Sequence, residues 1–140
     1  MIGRFPARSD DAGKLVLRLA VGGIILFHGL FKLTHGVEWI RQPLGDLGLP
    51  GMLAYGAYLG EIVAPVLILA GYWARLAALF VAFNMLMAIV LVLRQQVFAV
   101  KEMGGGWAIE LEALLLLASL ALFFTGAGRY GIGRGRTPLD

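Results

Sequence analysis

The feature that most constrains this chain is a series of four long apolar runs separated by charged or helix-breaking residues. A bilayer core about 30 Å thick is crossed by roughly 20 helical residues, and the runs have that length. Hydrophobic residues make up 59 % of the chain and charged residues 15 %, whereas a soluble domain carries about a quarter charged residues. Open sheets cannot span lipid, and the runs lack the alternation of barrel strands. The sequence therefore predicts an all-α transmembrane four-helix bundle, with spans at about 14–33, 52–72, 75–93 and 107–125.

The segments between the runs contain the residues that end helices. Pro43, Pro50 and several glycines interrupt the loop 34–51, and a glycine triplet precedes the fourth run. The second and third runs are joined by a tight turn, which makes these two helices antiparallel neighbours. We expect three regions, namely a disordered cytoplasmic N-terminus at 1–13, a four-helix transmembrane domain at 14–128 and a cytoplasmic tail at 129–140.

The distribution of lysine and arginine predicts the orientation, because cytoplasmic loops carry an excess of these residues. Both ends are expected in the cytoplasm, as in a multi-pass protein of the cytoplasmic (inner) membrane. The first run exceeds a typical signal-peptide core and lacks a small-residue cleavage site, so we expect it to be retained. The side with both termini carries Arg4, Arg8, Lys14, Arg18, Arg75, Arg129, Arg134 and Arg136, and the other side carries Lys32, Arg41, Arg94 and Lys101.

Composition also excludes some functions. The chain contains no cysteine, so redox chemistry would use a bound cofactor, a bound substrate or a partner protein. The net charge of +3 comes from basic residues that flank apolar spans, without the aromatic-basic platform of a nucleic-acid site. We therefore expect the bilayer, and not nucleic acid, to be the partner.

The second span contains two signals of unusual helix geometry. Gly56 and Gly60 form a small-xxx-small pattern, which lets a neighbouring helix approach closely. We interpret it as packing inside the bundle, with a dimer face as the alternative. Pro65 removes one backbone hydrogen bond from the same helix, which predicts a kink near Glu61.

Ionisable residues at membrane depth are the most informative feature, since a charge at a helix centre costs about 2.5–3.5 kcal/mol on insertion scales. Counting about 1.5 Å per residue, Glu61 lies close to the midplane, where a carboxyl must be neutral, paired or hydrated. Each span contributes a polar group to the middle or outer half, and we expect these groups to turn inward and meet. The predicted cluster is His28, Lys32, Glu61, Asn84 and Glu110.

Simpler explanations exist for some of these residues. Lys32 and Glu110 can reach the head groups from the rim of the membrane, and Asn84 can serve as an interhelical hydrogen bond. Arg18, about one turn inside the cytoplasmic face, can snorkel. Glu112 points about 200° away from Glu110 on an ideal helix, so the two are not expected to face one site.

The histidines do not point to a metal or haem centre. His28 and His35 are the only two in the chain, and both fall at the outer end of the first span. A zinc site built from His28 and Glu61 would lack ligands. We therefore predict no metal ligand.

Four short patterns occur in order along the chain. The first span ends in His28-Gly-Leu-Phe-Lys32, and a Gly-Leu-Pro lead-in precedes the span that carries Glu61. A Gly-x-x-x-Arg turn follows, and the last span ends in Gly-Ala-Gly-Arg-Tyr. Over residues 14–131 the chain resembles the DoxX family of small four-helix membrane proteins. The segment after that last pattern, Gly131–Arg134, departs from the Asp that often follows in the family.

The resemblance implies that Arg18, His28, Lys32, Glu61 and Glu110 occupy family positions. The family takes its name from a subunit of a thiosulfate:quinone oxidoreductase. Other members are associated with oxidative-stress, thiol-redox and quinone-related processes. Most members have no established reaction, so the family name alone does not decide whether this chain is an enzyme.

The leading hypothesis is a membrane component of a quinone-linked redox or oxidative-stress system, which binds a quinone or a similar lipophilic molecule in an intramembrane polar pocket. The alternatives are a non-catalytic lipid or sterol-like ligand-binding protein, a chaperone or scaffold, and a proton or small-solute pathway. A redox partner protein and a homo-oligomer both stay open. The predicted catalytic residues are Glu61 and His28, the ligand-binding residues are Arg18, Lys32, Tyr58, Asn84, Trp107 and Glu110, and the aromatic walls are Phe27, Phe31, Tyr58 and Trp107.

Overall fold

The computed structural model describes residues 7–134 and 136–140, and within these ranges the regular structure is helical. An isolated β-bridge joins Val100 and Trp107. The α-helices of this part of the chain are α1 (Ala7–His35), α2 (Arg41–Asp46), α3 (Gly56–Tyr58), α4 (Ala64–Ala70), α5 (Ala74–Leu91) and α6 (Glu110–Thr125). Short 3-10 helices cover Glu38–Ile40, Gly51–Tyr55 and Arg94–Gln96, and a π turn covers Leu59–Val63.

Three helical stretches of the described chain are long and apolar enough to cross a membrane, namely Ser9–His35, Gly51–Ala70 and Ala74–Leu91. The apolar helix α6 has 16 residues, or about 24 Å at 1.5 Å per residue, which is short for a core of roughly 30 Å. The all-helical fold is confirmed, with three helices suited to a membrane. The fourth crossing stays a prediction, and its helix begins three residues later than the expected start at 107.

The first helix begins at Ala7, so residues 7–13, which we expected to be disordered, are helical. The cause is local. Asp10 lies in the first turn, where a carboxylate complements the helix dipole. Its Oδ2 also lies 2.7 Å from Nζ of Lys14, one turn further along the helix. The expected disorder of residues 1–6 lies outside the described residues.

The second stretch is a composite helix that widens around Glu61. It passes from a 3-10 helix through α3 into the π turn Leu59–Val63, and then into α4. Pro65, the second residue of α4, has no N–H to donate, and its ring crowds the carbonyl four residues earlier. Where a kink was predicted near Glu61, the structure has a wider turn that contains Glu61 itself.

Two glycines of α1 let this helix lie directly against the composite helix. A Cβ atom on Gly29 would stand 2.0 Å from the carbonyl oxygen of Glu61. A Cβ atom on Gly22, two turns earlier, would stand 2.7 Å from the side chain of Leu69. The contact at Gly29 is backbone against backbone, so it fixes how α1 sits beside the π turn.

Only one glycine of the predicted pair in the second span packs closely against a neighbouring helix. A Cβ atom on Gly60 would meet the side chain of Asn84 in α5 at 2.7 Å, so α5 approaches closely there. A Cβ atom on Gly56 would meet nothing within 4 Å. Gly60 therefore seats a neighbouring helix inside the bundle, as predicted, and Gly56 does not.

Apolar side chains from α1, α4, α5 and α6 form the main core. A smaller core lies under the segment that follows α1 and joins it to the start of the composite helix. The main core consists of Val21, Ile25, Ala64, Ile68, Ala77, Ala78, Val81, Met85, Leu115 and Leu122, and the smaller one of Val37, Leu44, Ala54 and Ala57.

Arg18 closes one end of the bundle. Its guanidinium is buried, with the residue 1 % exposed. Its Nε donates to the carbonyl of Ile68 (2.8 Å), Nη2 donates to that of Leu69 (2.6 Å) and Nη1 to that of Ala127 (3.3 Å). The last carbonyls of a helix have no N–H partner within it, so Arg18 satisfies the end of α4.

Arg75 does the same for α6. Its Nη1 donates to the carbonyls of Phe123 and Phe124, both at 2.9 Å, in the last turn of that helix. Its Nε donates to the backbone carbonyl of Asp140 at 2.8 Å. The residue therefore ties the end of α6 to the C-terminal segment.

The C-terminal segment folds back over this end of the bundle. The N–H of Ile132 donates to the carbonyl of Ala70 at 2.9 Å. Asp140 is buried, and its Oδ1 accepts a hydrogen bond from the N–H of Trp73 at 2.9 Å. The N–H of Arg129 donates to Oδ1 of Asp11 in α1 at 3.1 Å, so the start of α1 and the C-terminal segment lie at the same end of the bundle.

The carboxyl of Asp140 is a buried hydrogen-bond acceptor. Burial by itself would raise the pKa of Asp140, but hydrogen bonds from the backbone of Trp73, from the backbone and side chain of Thr137 and from the backbone of Arg136 hold that pKa below its usual value. The charged form is therefore favoured by the folded state.

We predict that Gly29→Ala strongly destabilises the bundle, because the new methyl group would stand 2.0 Å from the Glu61 carbonyl oxygen. Overpacking costs about 1–3 kcal/mol, and a collision with backbone belongs at the upper end. Gly23→Ala is the matched control, since a Cβ atom there meets nothing within 4 Å. Thermal unfolding in detergent measures both variants, and equal melting temperatures would contradict the backbone contact.

We predict that Asp140→Asn lowers the melting temperature at neutral pH, because the amide cannot replace a charged acceptor of several N–H groups. A depressed folded-state pKa contributes stability above the unfolded pKa near 3.9 and loses it as the pH falls further. The difference from the wild type should therefore be constant above about pH 5 and shrink below about pH 4. A difference that grows in acid would refute this role, and Asp46→Asn, at an exposed residue, serves as the control.

Candidate functional site

Glu61 is the centre of the polar cluster within the bundle. It lies in the π turn and is 3 % exposed. Its Oε1 accepts hydrogen bonds from Nζ of Lys32 in α1 and from Nδ2 of Asn84 in α5, the latter at 2.8 Å. Three helices therefore converge on a single carboxylate oxygen.

The approach of α1 at Gly29 explains how Lys32 reaches Glu61. Lys32 follows Gly29 by about one turn, and its long apolar stem lets the ammonium extend into the bundle. Only 14 % of its side chain is exposed, and its Nζ lies 5.6 Å from the ring centroid of Trp39. A buried ion pair loses the hydration of both charges, and the hydrogen bond from Asn84 and the ring of Trp39 offset part of that loss.

The other carboxylate oxygen of Glu61 is different. Oε2 is buried and accepts no hydrogen bond from any residue in the described ranges. A buried carboxylate oxygen without a donor costs free energy. This oxygen is therefore an acceptor without a donor in the described ranges.

Two cavities meet at the Lys32–Glu61 pair. The first has a volume of about 510 Å³ and lies between α1, α5 and α6. The second has a volume of about 300 Å³ and lies between the composite helix, α5 and the segment after α1. Both volumes are in the range of small-molecule sites. The first is lined by Phe27, His28, Phe31, Lys32, Trp39, Glu61, Met85, Ala88, Val92, Leu93, Leu111, Glu112 and Leu115.

The first cavity combines apolar walls with a few polar groups. Its polar lining comes from His28, Lys32, Glu61 and Glu112, and the other lining residues are apolar or aromatic. Phe27 is 77 % exposed, and the adjoining aromatic residues of the rim are exposed as well. An apolar rim around a polar floor is the arrangement expected of a site that admits an amphiphile from lipid.

The structure brings only part of the predicted site together. Lys32, Glu61 and Asn84 are in direct contact, and His28 lines the first cavity from an exposed position. Tyr58 lies next to the cluster, where its hydroxyl donates to the backbone carbonyl of Lys32 at 3.1 Å. Tyr58 supports α1 and does not line either cavity.

Three predicted ligand-binding residues lie elsewhere. Arg18 is at the far end of α1, where its donors are occupied by backbone carbonyls. Glu110 forms an exposed ion pair of 2.6 Å with Lys101. Trp107 donates from Nε1 to the carbonyl of Val97 at 2.6 Å and lines neither cavity. Trp107 precedes α6 and Glu110 is its first residue, and both are exposed.

Glu112 lines the first cavity, whereas Glu110, which was predicted to face it, does not. Glu112 is half-buried and lines the first cavity together with Glu61. One signal could have found it, since Glu112 shares a helical face with the buried Leu115 and Ser119 at i+3 and i+7. Trp39 was also missed as a wall residue, because no periodicity in a loop predicts where its side chain lies.

The described residues contain no group of three or more His, Cys, Asp or Glu side chains placed to hold a metal ion. The polar groups of the first cavity suit hydrogen bonding and proton exchange with an organic molecule. An ammonium, a buried carboxylate and an imidazole are available for that chemistry.

We predict that Lys32→Met destabilises the protein in detergent, because it leaves the Glu61 charge buried without its cation. Removing one member of a buried pair typically costs about 3–5 kcal/mol. Lys101→Met is the matched control at an exposed pair, where a cost below about 1 kcal/mol is expected. The double variant Lys32→Met/Glu61→Met should recover most of the lost melting temperature, and a further decrease instead would contradict a buried ion pair.

Two comparisons with known proteins agree. The sequence profile of the DoxX family matches residues 13–94, more than half of the chain. "Putative oxidoreductase CatD" of Bacillus subtilis (strain 168) is 34 % identical over 120 residues, which cover 86 % of this chain and 84 % of that protein. No solved structure matches the chain.

The range matched by the family profile holds the helices that carry the Lys32–Glu61–Asn84 cluster. The resemblance seen in the short sequence patterns is therefore confirmed by an independent match over most of the same residues. The chain belongs to the DoxX family.

Proposed function

We propose that this protein is a membrane component of a quinone-linked redox or oxidative-stress system and binds a quinone, or a similar lipophilic molecule, in the first cavity. The observation that carries the proposal is the buried carboxylate of Glu61, which lines an apolar cavity, pairs with the Lys32 ammonium and has one oxygen without a hydrogen-bond donor in the described ranges. Family membership and the description of the relative as a putative oxidoreductase support a redox-related role at the membrane.

The cavity suits a flat ring with oxygens on opposite edges. An ammonium has three N–H donors, and Glu61 uses one of those of Lys32, so others are available to a ligand oxygen. Phe27, Phe31 and Trp39 supply aromatic walls, which pack well against a planar ring. His28 and Glu61 exchange protons with the headgroup in this proposal, as the reduction or oxidation of a quinone requires.

The second cavity gives the proposal a place for an apolar tail. Its lining is dominated by apolar side chains from Leu53 to Leu59 and from Phe80 to Val92, with Lys32 and Glu61 at the boundary with the first cavity. A ligand with its headgroup at the ion pair would extend its first tail carbons there or out between the exposed phenylalanines. Electrons would pass to or from a partner protein or a soluble substrate, because the chain has no cysteine.

The proposal includes a topology with four crossings and both ends in the cytoplasm. The contact between Asp11 and Arg129 supports an even number of crossings, since it joins the start of α1 and the segment after α6. The excess of arginine at that end supports its cytoplasmic side. The cavities then open in the outer half of the bilayer of the cytoplasmic membrane.

The test is whether filling the cavity blocks quinone binding. Ala88 lines both cavities, so Ala88→Trp should abolish binding of decylubiquinone to the detergent-solubilised protein, measured by isothermal titration calorimetry. Ala121→Trp is the matched control, because Ala121 is an exposed residue of α6 that lines neither cavity.

Equal binding to both variants would place the ligand outside the cavities and contradict the proposal. The non-catalytic ligand-binding alternative would be favoured if the wild-type protein does not bind decylubiquinone but retains a sterol-like molecule or another lipid in native mass spectrometry.

A further inference from the structure

The hydrogen-bonding groups of the first cavity are unevenly divided between donors and acceptors. Lys32 is the one fixed cation among its lining residues in the described chain, and it is already paired with Glu61. Nδ2 of Asn84 also donates a hydrogen bond to Oε1 of the same carboxylate. Lys32 and Asn84 therefore each direct one donor to Glu61, which leaves fewer donors for a ligand.

The acceptors, in contrast, are in surplus. Oε2 of Glu61 is buried and accepts no hydrogen bond within the described ranges. Glu112 is half-buried on the same cavity, and neither an ion pair nor a hydrogen bond joins its side chain to the residues that the structure describes. Since Lys32 and Glu61 cancel, the Glu112 carboxylate leaves the cavity one negative charge in excess when His28 is neutral.

We infer that the first cavity prefers the reduced, hydroxyl-bearing form of its ligand, a quinol, over the quinone. One hydroxyl donates to Oε2 of Glu61 and the other donates to the carboxylate of Glu112. This inference rests on the proposed function and deepens it, because it names the redox form that the site holds and adds Glu112 as a ligand-binding residue.

The physical reason is the polarity of the two ligand forms. A quinol presents two O–H donors, and an O–H donor to a carboxylate makes a short, charge-assisted hydrogen bond. A quinone presents two carbonyl oxygens, which cannot satisfy an acceptor and are repelled by a carboxylate. Binding of the quinone would leave Oε2 of Glu61 and the Glu112 carboxylate desolvated without donors, at a cost for each group.

The two carboxylates also lie on different elements. Glu61 belongs to the π turn of the composite helix and Glu112 to the first turn of α6. A ligand that donates to both would link these elements across the cavity. Glu110, two residues before Glu112, is paired with Lys101 on the surface and takes no part in this contact.

The experiment compares duroquinol with duroquinone by anaerobic isothermal titration calorimetry on the full chain in detergent. We expect the wild type to bind duroquinol about tenfold more tightly, which corresponds to roughly one additional charge-assisted hydrogen bond. Glu112→Gln should reduce this preference to about twofold or less, because an amide can donate to the quinone. Glu110→Gln should keep the wild-type ratio, and circular dichroism verifies the fold of both variants.

The possible results separate the two claims. Equal affinities, or tighter binding of duroquinone by the wild type, would overturn the preference for quinol and leave the proposed quinone site standing. An unchanged preference in Glu112→Gln would exclude Glu112 as its source and overturn the inference. Failure of the wild type to bind either compound would overturn the proposed function, and the inference with it.

Discussion

The buried ion pair between Lys32 and Glu61 determines how α1 packs against the composite helix. The carboxylate of Glu61 sits within a helix that is apolar enough to cross a membrane, and its stability there depends on Lys32 and Asn84. Those contacts require α1 and α5 to approach the composite helix on two sides, which is why glycine is needed at positions 29 and 60. The polar cluster therefore depends on the close packing of these helices.

The opposite end of the bundle is organised by arginine. Arg18 and Arg75 donate to carbonyls at the ends of α4 and α6, and the C-terminal segment covers the same end through Asp140. This end carries fixed, satisfied hydrogen bonds, whereas the end with Glu61 keeps a buried acceptor and two cavities. The polar cluster around Glu61 and the hydrogen-bonded C-terminal segment therefore lie in different parts of the same bundle.

Membrane depth predicted from the sequence that Glu61 meets polar partners from neighbouring helices, because a midplane carboxyl needs them, and Lys32 and Asn84 contact it. Depth did not predict that Glu112, and not Glu110, lines the first cavity, since depth does not tell which face of a helix turns inward, and α6 starts later than its apolar run. The role of Arg18 was also missed: its acceptors lie 50 or more residues away in the chain, and no local pattern reports such contacts. Local periodicity specifies helices well, but the rotation of each helix depends on tertiary packing.

The order of Lys32 and Glu61 along the chain has a consequence for how the protein enters a membrane. Lys32 belongs to the first membrane-suited helix and Glu61 to the second, so the cation is synthesised before the carboxylate that it neutralises. A lone glutamate at the centre of an inserting helix is costly, but the glycine contact between these two helices needs no third helix. The first two helices can therefore neutralise the Glu61 charge by themselves. Asn84, on the third, adds its hydrogen bond to a Lys32–Glu61 pair that has already formed.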